Sequence, residues 1–267
     1  MKNAAIGVFD SGVGGLSVLR EIRKLLPRED LFYIADSGAG PYGDQSGEFI
    51  QERVHVLADF LLTKKVKSLV VACNTATTVA IQSLRMRLSL PIIAIEPAVK
   101  PAVELTRSGI VGILATSRTL TSRRFQSLVE DYGNGTKFLL QPCPGLMEQV
   151  EKGELESVKT YELTARYLSP LLEQGADTIV LGCTHYPFLL PVIKKLTGPD
   201  ISIIDPAVAV ARQLYRRLET CNLLSSGEVP GVECFWTSGI LPGVKPLIAQ
   251  IWGKETLVCA LPSCPQP

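Results

Sequence analysis

A surplus of charge of either sign is what this sequence most plainly lacks: 27 Lys and Arg stand against 26 Asp and Glu, with the two signs interspersed. That balance leaves no basic footprint of the kind that grips nucleic acid or an anionic membrane surface. The expected partner is a small molecule, with no nucleic acid and no membrane. Long apolar runs are missing as well. Stretches such as 110–116 and 178–181 fall far short of the about 20 residues that a membrane-spanning helix needs. The first ten residues hold one Lys and a brief apolar run that stops at Asp10, without the pattern of a secretory signal. The expected compartment is cytoplasmic. Histidine is scarce, with two in the chain, and the seven cysteines are odd in number and scattered without framework spacing. A disulfide scaffold does not fit, and free thiols in a reducing compartment do.

What is present is a regular alternation. Short apolar runs at 4–9, 31–35, 68–72, 92–95, 110–114, 138–140, 178–181 and 201–204 read as buried strands. Helical patterns separate most of them, including 47–64 and 155–174. Strands that are apolar throughout, separated by helices, imply parallel sheets covered on both faces. The expected fold class is α/β, with two similar lobes, each a mostly parallel sheet flanked by helices, and the active site in the cleft between them. The expected domains are 1–97 plus 208–267, carrying Cys73, and 98–207, carrying Cys183. Proline-rich linkers at 97–101 and 206–208 mark the crossings, and the segment 233–239 is expected to return to the first lobe. The tail 261–267 reads as disordered.

Ala72-Cys73-Asn74-Thr75 and Gly182-Cys183-Thr184-His185 each lie just past the carboxyl end of a buried strand, the edge at which open α/β sheets bind ligands. Either cysteine alone could be a buried structural thiol. A strand-to-helix junction, however, offers backbone N–H groups and a helix dipole that favour a thiolate. Two thiols at matching junctions suit inversion of a carbon acid, in which one group removes a proton from one face and the other returns one to the opposite face. Asp10 ends the first strand. Its carboxylate could assist Cys73, hold a substrate ammonium, or cap the following helix. Ser11 and the run Gly12-Val13-Gly14-Gly15 resemble an anion-cradling loop, although the spacing matches neither the dinucleotide nor the Walker A pattern. His185, two residues past Cys183, either assists that thiol or packs in the core, whereas His55 reads as structural. Cys183-x-His185 lacks zinc-ligand spacing, no metal is expected, and no Lys ends a strand as a pyridoxal enzyme would require. Cys143, Cys221, Cys234, Cys259 and Cys264 lack a comparable setting.

Four strings, in order, carry a resemblance. Phe9-Asp10-Ser11-Gly12-Val13-Gly14-Gly15-Leu16-Ser17, Pro41-Tyr42-Gly43, Ala72-Cys73-Asn74-Thr75-Ala76-Thr77 and Leu181-Gly182-Cys183-Thr184-His185-Tyr186-Pro187 resemble the signatures of the glutamate racemases. That resemblance implies an isomerase that uses no cofactor and interconverts L- and D-glutamate, with the D-enantiomer supplying peptidoglycan synthesis. It makes Cys73 and Cys183 the acid/base thiols, with Asp10, His185 and Glu151 assisting them. Substrate contacts are implied for Asp10, Ser11, Pro41, Tyr42, Gly43, Asn74, Thr75, Thr116, Thr119, Thr184 and His185. The small-molecule partner is then L- or D-glutamate, and a homodimer is left open. Against an aspartate racemase, the resemblance weighs His185, because the aspartate enzymes usually carry Glu at that place. A non-catalytic amino-acid-binding protein and a redox dithiol protein are the alternatives from other classes.

Overall fold

The computed structural model describes residues 2–262. The chain divides into two compact units, one running to Ile95 and resuming at Ala207, the other spanning Glu96–Pro206. The first unit opens with β1 (Ile6–Asp10), α1 (Leu16–Leu25), β2 (Leu31–Ala35), α2 (Gly47–Thr63), β3 (Ser68–Val71), α3 (Asn74–Arg87) and β4 (Ile92–Ala94). The second contains α4 (Val99–Leu105), β5 (Ile110–Ala115), α5 (Ser117–Leu120), α6 (Arg123–Tyr132), β6 (Lys137–Pro142) and α7 (Leu146–Glu151), then α8 (Val158–Glu173), β7 (Thr178–Leu181), α9 (Leu190–Thr197) and β8 (Ser202–Ile204). The chain returns to the first unit with α10 (Ala207–Thr220), β9 (Glu233–Thr237), α11 (Leu241–Trp252) and β10 (Val258–Ala260).

The fold is α/β with two parallel sheets, ordered β10-β9-β2-β1-β3-β4 and β6-β5-β7-β8. Every strand pair is parallel. Helices cover the sheet faces, so β1, β3 and β7 are buried at every position, which is why these strands read as unbroken apolar runs. The order β2-β1-β3-β4 recurs as β6-β5-β7-β8. β3 and β7 thus hold equivalent places beside the first strand of each unit, and Cys73 and Cys183 follow them at the carboxyl edge. Apolar side chains of α2 and α3 (Ile50, Val54, Leu57, Leu61, Ala76, Ala80, Leu84) fill the core against β1 and β3 in the first unit. Val111, Ile113, Val180 and Phe125 do the same in the second.

Three local expectations change. Residues 97–101, read as a linker, include the start of α4, where Pro101 sits in the first turn and sacrifices no intrahelical hydrogen bond. The helix expected from 155 begins at Val158, because the Ser157 side chain accepts from the Thr160 N–H and fixes the cap one turn later. The tail is tied down further than expected. The Leu261 N–H donates to the Thr237 carbonyl at 2.6 Å, extending the run of β10 along β9. Cys264 and the rest of 263–267 lie outside the described residues.

Candidate active site

In the first unit, β1 delivers Asp10 to the sheet edge, and the chain then turns through Ser11–Gly15 into α1. Asp10 is fully buried and its Oδ2 accepts from the Gly15 N–H at 2.7 Å. The N-cap of α1 is Gly15, with no side-chain cap, so Asp10 is not the cap of that helix and instead ties down the loop ahead of it. Gly15 has no room for a side chain: a Cβ there would lie 2.7 Å from the Asp10 Cβ, 2.9 Å from the Tyr33 hydroxyl and 3.1 Å from the Ala72 Cβ. Cys73 is the N-cap of α3, its Sγ accepting from the Ala76 N–H at 3.4 Å and lying 3.5 Å from the Ser11 hydroxyl, to which it donates as a thiol. The helix N-terminus thus meets the sulfur with an N–H group and the positive end of its dipole. Asn74 and Thr75 follow within the first turn, both 3% exposed. Neither amide atom of Asn74 meets a hydrogen-bond partner among the described residues, a cost that a native fold rarely carries without use.

Pro41 precedes a short 3-10 turn, Tyr42–Asp44, that includes Gly43. The Tyr42 hydroxyl donates to Asp36 Oδ2 at 2.5 Å, and Arg53 of α2 clasps the same carboxylate through Nη2 at 2.5 Å and Nε at 3.0 Å. Burial first, and the Asp36 charge second, push the Tyr42 phenol far above its ordinary range, so it stays protonated and committed to Asp36. A substrate contact at Tyr42 would fall to its backbone or ring. Asp36 and Arg53 were missed in the sequence, although Asp36 directly follows β2 much as Asp10 closes β1. The backbone joins the two loops, because the Asp36 N–H donates to the Asp10 carbonyl at 2.9 Å.

The second unit carries the other thiol. Cys183 follows β7, and its Sγ lies 3.6 Å from His185 Nδ1. On the far side of the ring, His185 Nε2 lies 2.7 Å from Glu151 Oε1, at the end of α7. Burial alone would drive the proton off His185. Hydrogen bonds to Cys183 and Glu151, together with their charges, outweigh that and hold its pKa well above the ordinary value. The protonated ring can donate to both neighbours at once. Thr184, between Cys183 and His185 in sequence, is 3% exposed. Thr116 caps α5, accepting from the Thr119 N–H at 3.2 Å, and the two threonine hydroxyls are 3.0 Å apart at the end of β5.

Cys73 and Ser11 therefore touch, and Asp10 anchors the loop that holds Ser11. Cys183, His185 and Glu151 form one chain, and Thr116 pairs with Thr119. His55 bonds through Nε2 to Ser83 Oγ of α3 at 3.0 Å. Among the described residues no group of three or more His, Cys, Asp or Glu side chains is placed to hold a metal ion. No described helix is long and apolar enough to cross a membrane.

Comparison with known proteins matches residues 6–214 to the family model described as Asp/Glu/hydantoin racemase. The chain is 50% identical over 258 residues to a glutamate racemase of Pseudomonas paraeruginosa, covering 96% of this chain and 97% of that one. It is 49% identical over 259 residues to the glutamate racemase of Pseudomonas aeruginosa, covering 97% of each. Among solved structures, a glutamate racemase isoform of Bacillus anthracis superposes with a TM-score of 0.90 at 34% identity, covering 98% of this chain and 99% of that one. The Escherichia coli glutamate racemase, solved with L-glutamate and the activator UDP-MurNAc-Ala, gives 0.85 at 33% identity, covering 97% and 98%. An aspartate racemase of Picrophilus torridus gives 0.55 at 13% identity, a likeness of fold alone.

Proposed function

The chain belongs to the Asp/Glu/hydantoin racemase family, and from that premise we propose that it interconverts L- and D-glutamate by exchanging the Cα proton between two thiols, Cys73 and Cys183. It is an isomerase, and its D-glutamate serves peptidoglycan synthesis in the cytoplasm. The observation that carries the two-thiol reading is that one cysteine follows each of the equivalent strands β3 and β7, each with its own hydrogen-bonding neighbours.

One thiolate takes the Cα proton and becomes a thiol, leaving the electron pair on the glutamate carbon. The other thiol delivers its proton to the opposite face and becomes the thiolate. The reverse reaction exchanges the roles, so the enzyme returns to its starting state after one passage in each direction. Protein side chains supply both proton transfers, and the scheme needs no cofactor. His185, held protonated between Cys183 and Glu151, donates toward the Cys183 sulfur when it is a thiolate. At Cys73 that work falls to the α3 N-terminus, with Asp10 fixing the loop that presents Ser11. The substrate carboxylates are acceptors, and the site offers them Ser11, the Asn74 amide, Thr75, the backbone at Pro41–Gly43, the Thr116–Thr119 pair, Thr184 and His185.

The test is a racemisation assay starting from each pure enantiomer of glutamate and of aspartate, followed by optical activity. Both glutamate enantiomers are expected to relax to a racemate, with aspartate turning over about 10- to 200-fold more slowly, the discrimination one missing methylene allows. Equal turnover of the two acids would remove glutamate as the assigned substrate.

A further inference from the structure

Glu151 is the last residue of α7, a helix of six residues that is too short to hold its own direction. The residue before the helix is Gly145, whose φ of +88° only glycine adopts readily, and no side chain caps the helix there. Two tyrosine hydroxyls hold the chain just before it. Tyr186, one residue beyond His185, donates to the Cys143 carbonyl at 3.5 Å. Tyr167, on α8, donates to the Pro144 carbonyl at 2.6 Å. Tyr186 is 1% and Tyr167 8% exposed, so water does not compete freely for either bond. Burial, and then the neighbouring Cys143, drive the Tyr186 phenol upward, and burial does the same to the Cys143 thiol. Both stay protonated, and the hydroxyl remains a donor.

We propose that Tyr186 and Tyr167 are positioning residues for the reaction, pinning Cys143–Pro144 so that α7 holds Glu151 against His185. The inference rests on the assignment of Cys183 as one of the two thiols. The loop is thereby closed: Cys183, His185 and Tyr186 share one turn, Tyr186 fixes the start of α7, and the end of α7 returns Glu151 to His185. Residues 144–151 span about 10 Å at 1.5 Å per residue, so a 10° tilt about the pinned end displaces Glu151 by about 2 Å. The 2.7 Å bond to His185 does not survive that. Cys143, which lies at the end of β6 and takes no part in proton transfer, is here the anchor.

The experiment compares Tyr186→Phe, Tyr167→Phe and Glu151→Gln, singly and combined, by kcat, KM and pH profile in both directions, with Cys183→Ala as control. Tyr186→Phe is expected to lower kcat about 10-fold, as misplacement of a helper does, while KM stays within about twofold. The alkaline limb of the profile should move to lower pH as it does in Glu151→Gln. Adding Glu151→Gln to Tyr186→Phe should cost little more, because both break one coupling. Tyr167→Phe should show the same pattern and carries the test alone should Tyr186→Phe not fold. Tyrosine variants with unchanged kcat and pH profile, or losses that multiply with Glu151→Gln, overturn the positioning role. Racemisation surviving in Cys183→Ala removes the site assignment, and this inference with it. Its loss beside tyrosine variants of wild-type behaviour overturns this inference alone.

Discussion

Asn74→Ala separates binding from stability at one residue. Asn74 occupies the first turn of α3 with 3% exposure, and neither amide atom has a partner among the described residues. Burying a polar group without a hydrogen bond costs about 1–3 kcal/mol. Truncation to Ala removes that cost and gives up a few van der Waals contacts. The free protein should therefore lose less than about 0.5 kcal/mol, and a gain of about 1 kcal/mol is within the range of the released penalty. Glutamate binding should move the other way. A hydrogen bond to a charged carboxylate is worth about 1.5–3 kcal/mol, so KM should rise about 10- to 100-fold. Urea denaturation with and without glutamate measures both quantities in one experiment. Wild type should gain about 2.7 kcal/mol at a ligand concentration 100 times Kd, and Asn74→Ala should gain much less at the same concentration. A variant that loses more than about 1 kcal/mol without ligand while KM stays unchanged would refute the reasoning, because Asn74 would then be a structural amide.

Two further outcomes follow from the same geometry. Glu151→Gln removes one of the two partners that hold His185 protonated, so the His185 pKa should fall toward its ordinary value. Because the folded-state pKa is raised, the stability this pair contributes is full below about 6.5 and disappears as pH rises through the folded value. Denaturation of wild type and Glu151→Gln across that window should show the difference shrinking with pH, and a difference that grows contradicts the assignment. Gly15→Ala should lower unfolding stability by about 1–3 kcal/mol, the usual cost of overpacking, because Asp10, Tyr33 and Ala72 all approach the new Cβ from fixed buried positions. A midpoint shift below about 0.5 kcal/mol would show that the loop yields.

The α/β alternation and both thiol junctions were legible because parallel strands buried on two faces leave unbroken apolar runs, each ended by a small polar cluster. Asp10 and Cys73 stood out by that rule, as did Cys183. Asp36 stands at the same kind of strand end but was passed over, because its partners Arg53 and Tyr42 come from α2 and a short turn. The bond between Glu151 and His185, 34 residues apart, had no local signal, and only the family resemblance pointed to Glu151. Tyr186 and Cys143 were read apart because the contact between them is set by the packing of α7 against the turn after Cys183. The strand at 258–260 was missed for a different reason: although 257–261 is an apolar run, the strand is three residues at a sheet edge with Cys259 and Ala260 exposed, directly before the proline-rich tail. Caps decide boundaries more than periodicity does, as Ser157 shows at the start of α8.

The central claim is that one thiol serves each face of the glutamate Cα. Cα–H exchange in D₂O, followed by NMR for each pure enantiomer with wild type, Cys73→Ser and Cys183→Ser, tests it most directly. Wild type should wash deuterium into both enantiomers while racemising them. Each variant should lose racemisation, and any exchange that survives should be confined to a single enantiomer, opposite in the two variants. Racemisation by either variant, or residual exchange of the same enantiomer in both, would contradict the two-thiol mechanism.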